Sequence, residues 1–168
     1  MTAAAARAEP DEIWAGKPAP GRGKKGTEEQ SRFNLVLRDG GEILFSSRRR
    51  GLRPLLECAG RWPGPAERRT LIDRVIGIAA ARVIAAARPA GRVKAGVISE
   101  EAIRYLEVQS LAVDWEETTA HIHRKDGSGI CPLEELSRRH ESDREFLTEI
   151  YRHFSLRLPE FVSRMARE

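Results

Sequence analysis

Val93-Lys94-Ala95-Gly96-Val97-Ile98-Ser99-Glu100-Glu101-Ala102-Ile103-Arg104-Tyr105-Leu106, followed by Leu111-Ala112-Val113-Asp114-Trp115, decides the fold class. Apart from Lys94, residues 93–98 are apolar and partly β-branched, as in a buried strand. Ser99 is a good helix N-cap, and Ala102, Ile103 and Leu106 fall on one helical face. Residues 111–115 read as a second strand. Strand, helix and strand within so few residues predict a parallel pair joined by a crossover helix, and hence an α/β domain.

Working back from this unit, residues 33–37 and 42–46 flank Arg38-Asp39-Gly40-Gly41. Asp-Gly between strand-forming residues predicts an antiparallel hairpin. Pro54 opens a short helix through Leu55, Leu56 and Ala59. Residues 70–87 read as one long helix. Thr70 with Asp73 fits a capping box, and Leu71, Ile72, Val75, Ile76, Ala79, Val83 and Ile84 recur at helical spacing. Its small, apolar surface places it centrally. Working forward, residues 120–123 suggest a last short strand. Helices follow at 132–139 and 142–156, with Phe146, Ile150, Tyr151 and Phe154 inward. Pro159 breaks the pattern, and the remaining C-terminal turn reads as loosely held. The expected architecture is a three-layer α/β/α domain with a mixed sheet over residues 30–157. Residues 1–29, rich in proline and glycine, read as a flexible tail in which Trp14 is the one residue suited to dock. Residues 158–168 form an extension.

The chain has 168 residues, 32% of them charged and 6% aromatic, so small aliphatic side chains must fill the core. No apolar run approaches a membrane span, and residues 1–6 lack the apolar core of a signal peptide. A cytoplasmic protein without a membrane partner is expected. Cys58 and Cys131 match neither a zinc-finger spacing nor a disulfide framework. The net charge is +4, but residues 48–69 hold seven arginines against Glu57 and Glu67. That basic segment points to an anionic ligand or is a solvated loop. Few aromatics and no stacking motif argue against nucleic acid. The partners left open are a small anionic ligand and a second copy of the chain. No cofactor is expected.

Chemistry concentrates in Asp126-Gly127-Ser128-Gly129-Ile130-Cys131-Pro132-Leu133-Glu134-Glu135. Two glycines free the backbone to bare its N–H groups, and Pro132 suits the first position of a helix. Cys131 becomes the N-cap and Glu134 the N3 residue. Cys131 is either a nucleophile with Asp73 and Glu134 moving protons, or a small apolar residue with Glu134 closing its own capping box. His121 and His123 alternate around Ile122, which places them on one side of a strand. The candidate catalytic set is therefore Cys131, Asp73 and Glu134. The candidate ligand-binding set is Arg48, Arg50, Gly51 and Arg53, whose forks suit phosphate or carboxylate, with Gly127, Ser128 and Gly129. No metal site is expected.

Four segments resemble a known family: residues 47–57, 73–81, 97–100 and 126–134. Together they resemble the domain-of-unknown-function family numbered 1893, placed with the cytidine-deaminase-like folds. The resemblance runs over about 33–154. It implies a three-layer α/β/α fold and a pocket between two helix starts. Zinc deaminases carry a His or Cys with a Glu two residues on at one helix start, and Cys-x-x-Cys at the next. In this chain Asp73 would match the first ligand, which puts Val75 at the place of the Glu. Cys131 would match one cysteine, with Glu134 at the second. Ile78 stands where the family usually has lysine. The resemblance therefore implies a deaminase-like domain whose zinc site has degenerated. The reading is a domain without zinc chemistry that binds a small anionic or nucleotide-like ligand. An enzyme using Cys131 covalently, or an interaction module with no small ligand, are the alternatives.

Overall fold

The computed structural model describes residues 32–124 and 126–166. The N-terminal tail, Trp14 and the basic run at 21–26 lie outside the described residues. The hairpin forms as its turn residues require. β1 (Leu35–Asp39) and β2 (Glu42–Ser47) pair antiparallel. Gly40 takes a φ of +58°, which an L side chain rarely adopts. α1 (Arg53–Arg61) carries Pro54 in its first turn and buries Leu55, Leu56, Cys58 and Ala59.

The long helix expected over 70–87 is instead two elements. β3 (Arg69–Ile76) is a strand, and α2 (Ile78–Ala87) begins only after Gly77. Leu71-Ile72 and Val75-Ile76 satisfy a helical period and a buried strand equally well, and a short apolar run does not distinguish them. Tertiary pairing decides. Leu71 stands opposite Leu37 of β1 on one side and Val93 of β4 (Arg92–Ser99) on the other. The backbone groups of β3 thereby find partners on both flanks. The Thr70–Asp73 capping box does not exist, because Thr70 is a mid-sheet residue paired with Arg38 and Arg92.

The parallel unit is present. β4 leads into α3 (Glu100–Val108) and β5 (Ala112–Thr119), which lies parallel to β4. Ser99 caps α3, its hydroxyl accepting from the Ala102 N–H at 3.2 Å. The five strands run β2-β1-β3-β4-β5, with β1 antiparallel to both neighbours and β3, β4 and β5 parallel. This mixed sheet with helices belongs to the α/β class.

α4 (Pro132–Arg138), α5 (Asp143–His153) and a short α6 (Glu160–Ser163) complete the described helices. α5 ends three residues short of the expected Leu156. The C-terminal turn is not loosely held, because Val162 is wholly buried. The core joins Leu37, Leu71, Val93 and Val113 of the sheet to all the helical layers through α2. α2 is buried nearly all round, which its alanines allow by keeping neighbours close. On the other side of the sheet Val36 and Ile72 form a small cluster with Phe33 and Ile43.

One charged side chain ties the helical layers together. Arg82 of α2 is 5% exposed. Its Nε donates to Asp143 Oδ1 at 2.6 Å, and its Nη atoms donate to the carbonyls of Ser137, His140 and Glu141. Its guanidinium also stacks on Phe146, and Tyr105 of α3 donates to the same Asp143. A buried guanidinium must be satisfied this fully to be tolerated.

Candidate functional site

Beyond the carboxyl end of β3, where its neighbour β1 runs the opposite way, the sheet opens into a cavity of about 630 Å³. Crevices at the carboxyl ends of parallel strands are the usual ligand sites of α/β sheets. Four pieces of chain build its walls. β3 contributes Asp73, Arg74 and Val75, and the start of α2 contributes Gly77, Ala79 and Ala80. The segment entering α1 contributes Arg49, Arg50, Gly51, Leu52 and Leu55. A connection running from Ile122, His123 and Arg124 to Cys131 and Glu134 closes the far side.

That connection is a small irregular hairpin, not the strand expected at 120–123. Among the described residues it has a single bridge, between His123 and Ile130. The Gly127 N–H donates to the Arg124 carbonyl and the Ser128 N–H to Asp126 Oδ1, both at 2.9 Å. These donors hold the turn together, and Gly127, Ser128 and Gly129 lie outside the cavity wall. His121 also stays out of the wall, its ring 3.4 Å from Arg138.

Cys131 is the N-cap of α4 and Pro132 its first residue, as the turn chemistry predicts. The capping box is not there. The Cys131 N–H donates to the Ile122 carbonyl at 2.9 Å, not to Glu134. Glu134 caps a different helix. Its Oε2 accepts from the Ala79 N–H at 2.9 Å, at the start of α2. Gly77, the N-cap of α2, has no side chain to do this. The carboxylate reaches in so closely that a Cβ on Gly77 would lie 1.4 Å from Glu134 Oε1. Gly77 has an ordinary φ of −98°, so contact and not conformation demands glycine here. Burial pushes the Glu134 carboxyl up, while the Ala79 N–H, Arg138 and the Ile78 N–H act the other way. Glu134 is thus committed to a structural bond.

Asp73 lies in mid-strand between Leu35 and Ala95. It is half-buried, and burial pushes its carboxyl up to about 7, against the Val75 and Arg74 N–H groups. Among the described residues it forms no ion pair, and its one side-chain hydrogen bond is a long 3.5 Å contact from the Val75 N–H. Cys58 lies beneath it on α1. Burial first, then the Asp73 charge, pushes that thiol up to about 12, so it is unreactive at neutral pH. Both cysteines are free.

The arginine run divides. Arg50 and Gly51 line the cavity, with Gly51 at a φ of +85°. Arg50 forms no hydrogen bond or ion pair among the described residues. Arg48 turns away to lie over Phe33, and Arg53 bonds Glu57 and the Phe154 carbonyl. Arg49, which also lines the cavity, is paired with Glu57. Sequence reasoning missed Arg74, Gly77 and Arg124. The signal for Gly77 was present: a glycine between two apolar runs often marks a junction of elements.

Among the described residues, no zinc donor set of the deaminase kind stands at the helix starts that follow the parallel strands. The helix starts that follow β3 and β4 are Gly77-Ile78-Ala79 and Ser99-Glu100-Glu101, without His or Cys. Asp73 sits in β3, four residues before the first of them. Among the described residues no three His, Cys, Asp or Glu side chains lie close enough together to hold a metal ion. No described helix is long and apolar enough to cross a membrane.

Residues 26–154 match the family described as "Domain of unknown function (DUF1893)". The crystal structure of a DUF1893 family protein from Thermotoga maritima is similar to this chain, with a TM-score of 0.68 and 25% identity over 75% of this chain and 84% of that one. No curated protein matches.

Proposed function

The chain belongs to the DUF1893 family, whose function is unknown, and from the cavity beyond β3 we propose that it binds a small anionic, nucleotide-like ligand without zinc chemistry. The observation that carries this reading is Arg50, a guanidinium without a partner among the described residues, in the wall of a cavity whose apolar part includes Leu35, Leu52, Leu55 and Leu133. Arg124 adds a second cation. Apolar walls with a few placed charges are the composition of a small-molecule site, and the volume falls in the usual range. An arginine fork suits a phosphate or carboxylate. We read the fold as deaminase-like with a degenerate zinc site. The order β2-β1-β3-β4-β5, with a helix following each of β3 and β4, supports that likeness.

A covalent role for Cys131 draws support from one fact: Cys131 and His123 line the same cavity. A base within reach is what a thiol nucleophile needs.

The test is thermal unfolding with AMP, CMP, GMP and UMP. A nucleotide at a hundred times its Kd stabilises by about 2.7 kcal/mol, or roughly 5–10 °C for a chain of this size. The shift is expected to vanish in Arg50→Ala while the unliganded Tm stays within about 1 °C, since exposed sites matter little to stability. No shift with any nucleotide, or an undiminished one in Arg50→Ala, overturns the reading.

A further inference from the structure

The cavity is lined by two chemically different groups, exposed Arg50 and half-buried Asp73, the second rooted in the sheet between Leu35 and Ala95. A carboxyl placed among apolar groups is costly unless paired. Asp73 nevertheless has no ion pair among the described residues, although Arg49 and Arg50 line the same cavity. The titratable and charged groups that act on it or share its cavity are Cys58 of α1, Arg49 and Arg50 before α1, Arg74 next to it in β3, His123 and Arg124 of the hairpin, and Cys131 and Glu134 of α4. Arg49 is engaged with Glu57 and Glu134 with the start of α2. Asp73 therefore keeps its hydrogen-bonding capacity for something that enters the cavity.

We propose that Asp73 is the specificity-determining group of this cavity, gripping the ring of a nucleotide by an edge that sets one acceptor beside one donor, while Arg50 holds the phosphate. This rests on the anionic-ligand reading above. An uncharged carboxyl offers an O–H donor and a C=O acceptor side by side. The ring nitrogen and amino group of adenine or cytosine match that pair. The adjacent N1–H and amino group of guanine are both donors and match only the ionised carboxylate. Burial raises Asp73 enough for the uncharged form to be abundant at neutral pH.

The experiment is calorimetric titration with AMP, CMP, GMP and ribose 5-phosphate at pH 6 and pH 8.5. If only the uncharged form grips the ring, a carboxyl titrating at about 7 loses about thirtyfold of that form between the two pH values, and affinity falls in proportion. Wild-type affinity for AMP and CMP is expected to fall by roughly that factor more than in Asp73→Asn. The amide keeps donor and acceptor but does not titrate, so Asp73→Asn reports the pH dependence that remains from every other group, the ligand's phosphate included. Asp73→Ala is expected to lower AMP binding to the level of ribose 5-phosphate and to leave ribose 5-phosphate unchanged. If Asp73→Ala does not fold, the pH comparison with Asp73→Asn decides alone. Equal pH profiles in wild type and Asp73→Asn, or GMP bound at pH 6 as tightly as AMP and CMP, overturn the inference. Ribose 5-phosphate bound through Arg50 with no role for Asp73 removes this inference and leaves the anionic site standing. Failure of every probe to bind removes both.

Discussion

Gly77→Ala tests the joint between the strand and the central helix. With a φ of −98° the position accepts alanine without backbone strain. Alone, that change would stabilise by about 0.4–1 kcal/mol through the unfolded chain. The contact reverses the sign. The new Cβ would lie 1.4 Å from Glu134 Oε1 and 2.4 Å from its Cδ, so the carboxylate must leave. Its departure breaks the 2.9 Å bond from Ala79 and its interaction with the Ile78 N–H. Hydrogen bonds to a charged group contribute about 1.5–3 kcal/mol each. Glu134, 4% exposed, must then find another position or reach water. The net expectation is a loss of about 2–4 kcal/mol. Urea unfolding followed by circular dichroism, repeated in a Glu134→Ala background, separates contact from conformation. Glu134→Ala alone should cost about 3 kcal/mol by uncapping α2. Adding Gly77→Ala to it should cost little, because only Ile122 Cγ1 at 2.9 Å remains to be displaced. The cycle should therefore show a coupling of about 2 kcal/mol or more. Equal effects of Gly77→Ala in both backgrounds would refute the argument that Glu134 occupies the space of the missing side chain.

Two further perturbations bear on the same core. Asp73 is held at about 7 in the folded chain, against roughly 4 when unfolded. The folded state thus holds the proton more tightly, so this group's stabilisation is full below pH 4 and is lost as pH rises through 7. Discounted for partial exposure, Asp73→Asn should be about 2–3 kcal/mol more stable than wild type at pH 8, with the gap closing toward pH 4. Urea midpoints at pH 4, 6 and 8 measure this, and a less stable Asp73→Asn at pH 8 would contradict it. Arg82→Met should lose about 3–5 kcal/mol, because the carbonyls of Ser137 and His140 lose their donor and Asp143 keeps only the one from Tyr105. A midpoint unchanged from wild type would show that the network contributes nothing.

Several features needed only the chain itself, because local chemistry dictates them. The Asp39-Gly40 turn, the Ser99 cap, Pro132 in the first turn of α4 and the β4-α3-β5 unit follow from φ preferences, hydrogen-bonding side chains and apolar period. The basic run likewise indicated where positive charge gathers. Two decisions lay beyond that range. Residues 70–76 satisfy a helical and a strand period alike, and only pairing with β1 and β4, distant in sequence, made them a strand. That pairing turned Asp73 from a capping residue into a carboxyl in a cavity wall with no ion pair among the described residues. Glu134 shows the same limit. Three residues beyond its N-cap it has the spacing of a local box, yet it caps a helix that begins 56 residues earlier. A local motif records which bonds a side chain can make. Which bond it does make depends on which unsatisfied donor the fold brings nearest, and here that donor belongs to α2.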